Sequence, residues 1–235
     1  MVTLSERFTP ERLSELSAEL EGQPPQDILR WAFETFHDKI TLACSFGGAS
    51  GMALLDMAVK LRPDVRVFYL DTDFLFPETY ETVRKASERY RIEPIALRPL
   101  LSVAEQAERH GEALWQRDPD ACCAIRKVEP NRRALEGMEA WISGLRRDQA
   151  ETRKQIAVVS WDAKFGVVKV SPLAAWTEKD VWRYIVENDV PYNPLHDRGY
   201  PSLGCTHCTR PVQPGEDARA GRWSDFDKTE CGLHD

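Results

Sequence analysis

The sequence predicts an α/β fold in which helices flank a parallel, twisted sheet and a mobile C-terminal tail follows it. Short apolar runs rich in β-branched residues recur along the chain, and amphipathic segments with helical spacing separate most of them. Strands that alternate with helices are joined by crossovers, which make neighbouring strands parallel. Ligands bind beyond the carboxyl ends of such strands, so we expect the site at that edge.

Two helices are expected before the first strand. ERLSELSAELEG has leucines at helical spacing and ends at Gly22, and PQDILRWAFETFH repeats that spacing. ITLAC is the first apolar strand, followed by a small-residue loop at 45–51 and the helix GMALLDMAVKL. VRVFYL, residues 65–70, is a second buried strand, and Pro77 begins the helix PETYETVRKASERY.

The later elements continue the alternation. IEPIAL and EAWISG are a third and a fourth strand, with the helix SVAEQAERHG between them. QIAVVSWDAKFGVVKVSP indicates two strands around a turn at Gly166. Thr177 and Asp180 form a capping box for the helix TEKDVWRYIVEND, and Pro-, Gly- and Asp-rich loop follows.

The composition is that of a soluble globular protein rather than of a nucleic-acid-binding or membrane protein. The 235 residues are 42% hydrophobic and 29% charged, and the net charge of −7 opposes a nucleic-acid surface over the whole molecule. We find no apolar run of signal-peptide or membrane-spanning length and therefore expect a cytoplasmic protein. In a reducing compartment cysteines are more often ligands or catalysts than disulfides.

Five of the six cysteines form a pattern. Cys122 and Cys123 are adjacent, Cys205 and Cys208 form a C-x-x-C pair, and Cys231 lies in the tail KTECGLHD, where we expect an exposed, reactive thiol. Thiolates at short spacing suit a soft metal or an iron–sulfur cluster. A structural zinc ion is the main alternative, although adjacent cysteines fit one tetrahedral ion less comfortably than two corners of a cubane.

Two loops lie at the expected sheet edge, and the loop at 45–51 is the leading candidate for a nucleotide or phosphate site. The glycines of SFGGASG would let backbone N–H groups and a helix N-terminus approach a phosphate, but the loop lacks the P-loop lysine and the dinucleotide pattern, so an ordinary turn remains open. Asp71 and Asp73 follow the second strand, where a plain turn is again the alternative.

Cationic residues concentrate in two segments that follow the fourth strand and the C-x-x-C pair. Guanidinium groups bind phosphate or sulfate bidentately, which suits an anionic substrate. A solvated loop neutralised by Asp148 and Glu151 is the alternative for the first segment. The cations of the two segments are Arg146, Arg147, Arg153 and Lys154, and then Arg210, Arg219 and Arg222.

Taken together, SFGGASG, LDTDFLFPETY, CCAIRKVEP, WISGLRRDQAETR, GCTHCTRPV, GRW and KTECGLH resemble the assimilatory adenylyl-sulfate reductases. These are iron–sulfur, thioredoxin-dependent members of a family that also contains phosphoadenylyl-sulfate reductases. The match runs in order from about residue 40 to the end, and the joint occurrence of CC, C-x-x-C and ECGLH is its specific part. It implies a Rossmann-like fold of the adenine nucleotide alpha-hydrolase type.

The resemblance also implies a reaction and its residues. Adenosine 5′-phosphosulfate (APS) and a dithiol would give sulfite and AMP in sulfate assimilation and cysteine biosynthesis, with Cys231 as nucleophile and Lys127 linking cluster and substrate. One 4Fe–4S cluster per subunit would be held by Cys122, Cys123, Cys205 and Cys208. The implied substrate contacts are Ser45, Phe46, Gly47, Gly48, Leu70, Asp71, Thr72, Lys127, Gly144, Arg146, Arg153, Arg219, Arg222 and His234.

The implied organisation is N-terminal helices at 1–38, a nucleotide-binding α/β domain carrying the cluster at 39–208, and a flexible catalytic tail at 209–235. Reducing an activated sulfate takes two thiols, and the only other candidate in the chain, Cys44, ends an apolar strand. We therefore expect an external thioredoxin or glutaredoxin, and the family suggests a homodimer or homotetramer.

Two departures and two rival functions remain. Family members usually have glycine where Asp73 stands, and often an acidic residue where Ser50 and Gly51 stand. The nearest rival is reduction of the 3′-phosphorylated substrate (PAPS), alone or with APS. A more distant one is an ATP pyrophosphatase-like nucleotide-binding protein or a redox sensor with a thiolate metal site, neither of which would need ECGLH.

Overall fold

A six-stranded sheet with helices packed around it forms the centre of the computed structural model, which describes residues 3–234. The strand order is β3-β2-β1-β4-β6-β5, with every neighbouring pair parallel except β5 and β6. The strands are β1 Ile40–Ala43, β2 Val67–Leu70, β3 Ile95–Leu97, β4 Ala140–Ile142, β5 Val159–Asp162 and β6 Val167–Val170. The predicted fold class is confirmed.

The last two strands form a hairpin at one edge of the sheet. The turn between them includes Gly166 at φ +71°, a left-handed conformation that glycine adopts without steric cost. A turn this short cannot carry a crossover, so β5 runs antiparallel to β6 while the rest of the sheet stays parallel.

Helices alternate with the strands as the periodicity predicts. The capping box of Thr177 and Asp180 is present, with the Asp180 N–H donating to the Thr177 side chain. The helices are α1 Leu4–Arg7, α2 Pro10–Leu20, α3 Pro25–Phe36, α4 Ala49–Leu61, α5 Pro77–Tyr90, α6 Val103–His110, α7 Leu114–Arg117, α8 Pro119–Cys123, α9 Glu129–Ala134 and α10 Glu178–Glu187. Helix α4 therefore begins inside the segment expected to be loop, so Ser50 and Gly51 lie in its first turn.

The main hydrophobic core lies between the sheet and the helices α2, α3 and α4. Leu42 of β1 and Leu54 of α4 are fully buried there, and Leu13 and Leu29 bring the N-terminal helices into the same core. Burying these side chains stabilises the fold by roughly 1.5–3 kcal/mol each. Within residues 3–234, no helix has the length and apolar character that a membrane span requires.

Candidate active site

A cavity of about 320 Å³ opens at the carboxyl ends of β1, β2 and β4, where the fold class places a ligand site. Two different walls enclose it: the fixed wall, made of loops at the strand ends, and the tail wall, made of residues 218–234. The sequence-predicted residues that line it are Ser45, Gly47, Gly48, Leu70, Thr72, Lys127, Gly144, Arg146, Arg153, Cys205, Arg219, Arg222, Cys231 and His234.

Two predicted substrate contacts lie outside this lining. Phe46 is fully buried, and its ring packs edge-on against Tyr69 with centroids 5.6 Å apart. Asp71 is also buried, and its carboxylate accepts hydrogen bonds from the Tyr80 hydroxyl at 2.6 Å and Arg98 Nε at 3.1 Å. Both side chains are packed against other parts of the protein and do not line the cavity.

The fixed wall depends on backbones that approach each other closely. A Cβ on Gly144 would come within 3.2 Å of the Gly51 backbone nitrogen, and a Cβ on Gly47 within 3.1 Å of Leu203 Cβ. Glycine therefore lets the segment after β4 pass this close to the start of α4 without displacing its backbone. Ser45 Oγ accepts the Gly48 N–H at 3.4 Å and so fixes the turn into the helix.

Ser50 accounts for one departure from the family pattern. Its hydroxyl accepts hydrogen bonds from Arg146 Nη1 and from Gln149 Nε2, the latter at 3.3 Å. Arg146 Nε also donates to Asp148 at 2.8 Å. Arg146 therefore ties the cationic loop to helix α4 without an acidic residue at position 50.

Asp73, the other departure, combines an unusual backbone with an ion pair. Its φ of +60° lies in the left-handed region that favours glycine and that Asp and Asn tolerate better than most residues. Its carboxylate accepts from Arg126 Nη1 at 2.8 Å, and Arg126 is 1% exposed. Because an unpaired buried charge is costly, Asp73 stabilises this guanidinium beside the cysteines.

The four predicted ligand cysteines come together from two elements. Cys122 and Cys123 end α8 and lead directly into a single π-helical turn, Ala124–Val128, a feature frequent at functional sites. Cys205 and Cys208 flank a short 3₁₀ turn, and Cys205 Sγ lies 3.3 Å from Thr72 Oγ1. Within the described part of the chain, no three His, Cys, Asp or Glu side chains are arranged to hold a single metal ion.

The electrostatics of this cysteine group depend on burial. Burial, to which the neighbouring Cys205 and Cys208 add, raises the pKa of Cys122 to about 11. Burial likewise raises the pKa of Cys123 to about 12, although Lys127 opposes the shift. These thiols are neutral at pH 7 unless additional positive charge stabilises the thiolates.

Lys127 connects the cysteine group with the cavity. Burial disfavours its charge, but the thiolate forms of Cys205, Cys231 and Cys123 outweigh burial and raise its pKa, so Lys127 is protonated whenever those cysteines are ionised. Its ammonium lies 5.8 Å from the centre of the Trp223 ring. No carboxylate within residues 3–234 forms an ion pair with it, which leaves its charge for an anion in the cavity.

The tail wall is docked, and Cys231 is half-buried in it rather than exposed as the sequence suggested. His234 is half-buried and stacks on Trp141, with ring centroids 5.5 Å apart and planes 12° apart. Lys164 Nζ donates to the Gly232 carbonyl at 2.7 Å. The Cys231 thiol therefore faces the cavity from a segment held on both sides.

The predicted cations divide into those that line the cavity and those that pair with carboxylates away from it. Arg222 donates to the Leu203 carbonyl at 3.1 Å and has a buried Nε without a partner among the described residues. Arg219 lies beside it on the tail wall and contacts Glu230 at 3.5 Å. The cations that pair with carboxylates away from the cavity are Arg147 with Glu21, Lys154 with Glu151, and Arg210 with Glu216.

Comparison with known proteins agrees with this geometry. The family model described as the phosphoadenosine phosphosulfate reductase domain matches residues 39–211. The chain belongs to the phosphoadenosine phosphosulfate reductase family. The matched residues include the loops of the fixed wall, and the tail wall follows them in the chain.

Relatives and solved structures extend the match over most of the chain. An adenosine 5′-phosphosulfate reductase of Salinibacter ruber is 51% identical, covering 95% of this chain and 88% of the relative. A phosphoadenosine 5′-phosphosulfate reductase of Gloeobacter violaceus is also 51% identical, covering 94% and 93%. The phosphate complex of the Candida auris phosphoadenylyl-sulfate reductase superposes with a TM-score of 0.76 at 35% identity, covering 86% of this chain and 98% of that one.

Several cavity residues of this family member had no signal in the sequence. His196 Nε2 lies 2.9 Å from the Gly47 carbonyl, and Trp182 packs edge-on against His196 at 5.3 Å. Both line the cavity, although the sequence indicated only a helix around Trp182 and a loop around His196. Glu230 lies inside the quoted ECGLH motif, but the sequence alone assigned it no task.

Proposed function

We propose that this chain reduces APS to sulfite and AMP, with Cys231 as the nucleophile and an external dithiol as reductant. The single observation that supports this most is the meeting of Cys231, Lys127 and Cys205, one of the four cysteines, at one cavity. An activated sulfate is an anion whose sulfur accepts electrons, and this cavity combines a thiol with positive charge.

The proposed reaction has two thiol exchanges. The Cys231 thiolate attacks the sulfur of APS, the bond from sulfur to the phosphate oxygen breaks, and AMP leaves with that electron pair. The product on the enzyme is an S-sulfonate. A thiolate of thioredoxin or glutaredoxin then attacks Cys231 Sγ, sulfite leaves with the S–S electron pair, and the donor's second thiol resolves the mixed disulfide.

The residues proposed to bind substrate have distinct tasks. The Gly47–Gly48 backbone and the N-terminus of α4 are placed for a phosphate group. Lys127, Arg219 and Arg222 line the same cavity as Cys231 and are proposed to hold the sulfate. Arg222 Nε has no hydrogen-bond partner among the described residues. Positive charge there also favours the Cys231 thiolate, since an isolated thiol is mostly protonated at pH 7.

We also propose that Cys122, Cys123, Cys205 and Cys208 hold one 4Fe–4S cluster per subunit. The support is that Cys205 lies near enough to the other three cysteines to raise the pKa of each, so that the four thiolates need compensating positive charge. When bound, the cluster supplies that charge through its irons and a rigid support beside the substrate, and both electrons of the reaction come from thiols. A homo-oligomer in a reducing cytoplasm completes the proposal.

Substrate choice is the point at which a second function competes. The two relatives at 51% identity bear different substrate names, so reduction of PAPS, alone or with APS, is the alternative. Sulfite release with reduced thioredoxin should be measured for APS and PAPS at matched concentrations. A higher kcat/KM for APS supports the proposal, a higher value for PAPS replaces the substrate, and no sulfite from either overturns the reaction.

A further inference from the structure

Glu230, the residue before the nucleophile, places a carboxylate against the cations of the tail wall. Its side chain is 11% exposed and accepts from Arg153 Nε and Arg153 Nη2, both at 2.7 Å. Thr152 Oγ1 adds a hydrogen bond at 3.2 Å, and Arg219 Nη2 lies 3.5 Å away. Although burial opposes it, the bonds from Arg153 hold the pKa of Glu230 below its usual value, so it is ionised.

All three guanidinium nitrogens of Arg153 already donate hydrogen bonds within the protein. Two of them bind Glu230, and the third, Nη1, donates to Gln149 Oε1 at 2.6 Å. A bidentate carboxylate on a guanidinium has the same geometry as a bidentate sulfate or phosphate. Arg153 therefore cannot bind a substrate oxyanion by that edge while Glu230 occupies it.

The rest of the described tail is held by side-chain contacts, among them the ion pair of Lys228 with Asp120 and the bond from Arg219 to the Thr229 carbonyl. Residues 224–234 contain no helix or strand, so no backbone ladder fixes them. The contacts on the far side of Cys231 are the Lys164 bond to Gly232 and the stacking of His234. The Glu230–Arg153 pair is the ion pair adjacent to Cys231 in the chain, so we expect the position of the thiol to depend on it.

We propose that Glu230 is a positioning residue that clasps the Cys231 segment to Arg153, and that an oxyanion competing for Arg153 opens the clasp. Only the task given to Cys231 rests on the proposed function; the clasp itself rests on the ion pair. In the closed clasp the thiol faces the cavity. In the open clasp the segment leaves, which a second protein's thiol needs in order to reach the sulfur.

The clasp is tested on the cofactor-loaded protein, without nucleotide, by two readouts of tail position. One is the rate of Cys231 alkylation by iodoacetamide, followed by peptide mass. The other is the rate of tryptic cleavage after Lys228, which is 8% exposed in the docked tail and does not depend on thiol ionisation. The matched control is Glu216→Gln, which removes a second bidentate carboxylate–arginine pair in the same C-terminal segment.

We expect Glu230→Gln to raise both rates by about tenfold or more, the factor that about 1.4 kcal/mol of lost charge-assisted bonding gives. Glu216→Gln should leave both rates within about twofold. Inorganic sulfate should raise both rates in the wild type more than sodium chloride of equal ionic strength, and should have no such effect in Glu230→Gln. The exchanged pair Glu230→Arg with Arg153→Glu should recover part of the protection.

Unchanged cleavage after Lys228 in Glu230→Gln would overturn the clasp, and so would equal responses to sulfate and chloride in the wild type. Neither readout uses substrate or turnover. A chain that fails to reduce APS can still show the clasp, and a chain that reduces APS can still lack it, so the two proposals fail separately.

Discussion

The two walls of the cavity are built by different physical means. The fixed wall consists of backbone segments in close contact, as where Gly144 passes Gly51, and little could move there without disrupting β4 or α4. The tail wall consists of side-chain contacts, chiefly the Glu230–Arg153 pair and the His234–Trp141 stack. One wall can keep a nucleotide in place while the other delivers and withdraws a thiol.

The difference follows from what each wall has to do in the proposed reaction. A phosphate site gains from rigidity, because donors that are already oriented cost little to order on binding. The nucleophile must instead contact two partners in turn, first the substrate and then a donor protein. Ion pairs and a single ring stack are contacts that can be broken without unfolding the domain.

The largest expected effect is at the cysteine group, of which Cys205 lines the cavity. Cys123→Ser should lose iron and reductase activity together, because a cubane with a missing thiolate is unstable. Cys44→Ala is the control for iron content, since Cys44 is fully buried in the core and burial raises its pKa to about 12. Iron analysis and the visible spectrum of anaerobically purified protein measure the iron, and sulfite release from APS measures the activity. Full iron in Cys123→Ser would refute the ligand assignment.

The next effect concerns the tail wall's cations. In a Cys231→Ser background that prevents turnover, Arg222→Ala should weaken APS binding by roughly 1.5–3 kcal/mol, the range for a hydrogen bond to a charged group. That corresponds to about one to two decades in Kd by titration calorimetry. Arg210→Ala, which removes an exposed pair with Glu216, should bind APS normally. Equal affinity in Arg222→Ala would make the residue a structural support of the Leu203 loop.

The fixed wall should respond in stability. Gly144→Ala places a methyl group against the Gly51 and Ser50 backbones, and we expect the free energy of unfolding to fall by roughly 1–3 kcal/mol in a urea titration. Gly48→Ala is the matched variant, because its Cβ would lie 4.0 Å from the nearest atom and its φ of −90° suits alanine. Equal stability of the two variants would show that this wall can yield.

The smallest effect is a pH dependence of tail docking. Burial, with Lys169 and Arg153 adding, lowers the pKa of His234 well below its usual value while the tail is docked. An undocked His234 regains a pKa near 6.5, so protons favour the undocked tail. Docking should therefore be complete above about pH 6.5 and weaken below it, by at most about tenfold per pH unit.

Cleavage after Lys228, measured relative to a synthetic tail peptide, follows this change because the peptide corrects for the pH dependence of trypsin itself. His234→Phe keeps a ring on Trp141 but binds no proton, and its relative cleavage should not change with pH. The same pH response in both proteins would assign the effect to another group.

The sequence predicted the fixed wall better than the tail wall. Alternating apolar runs indicate the sheet, and the loops that follow parallel strands must meet at one edge, so Ser45, Thr72 and Gly144 could be placed together. Where α4 begins depended on tertiary contacts, since Gly51 is packed under Gly144.

The contacts that hold the tail wall could not be predicted from the sequence, because they connect residues that are far apart in the chain. Arg153 and Glu230 are 77 positions apart, and nothing in either segment's local pattern indicates the pair. Asp71 looked like a cavity residue because of its place after β2, but Tyr80 and Arg98 hold it from behind. The motif ECGLH indicated the proposed nucleophile, whereas the contact of its first residue with Arg153 is visible only in the fold.

The central claim, that Cys231 attacks the substrate's sulfur, is tested most directly in the absence of any reductant. Enzyme mixed with APS should release one AMP per active site and gain one sulfonate group on the C-terminal peptide, as intact-mass and peptide analysis would show. Reduced thioredoxin added afterwards should release the sulfite. A sulfonate on Cys44 instead, or continued turnover by Cys231→Ser, would contradict the account.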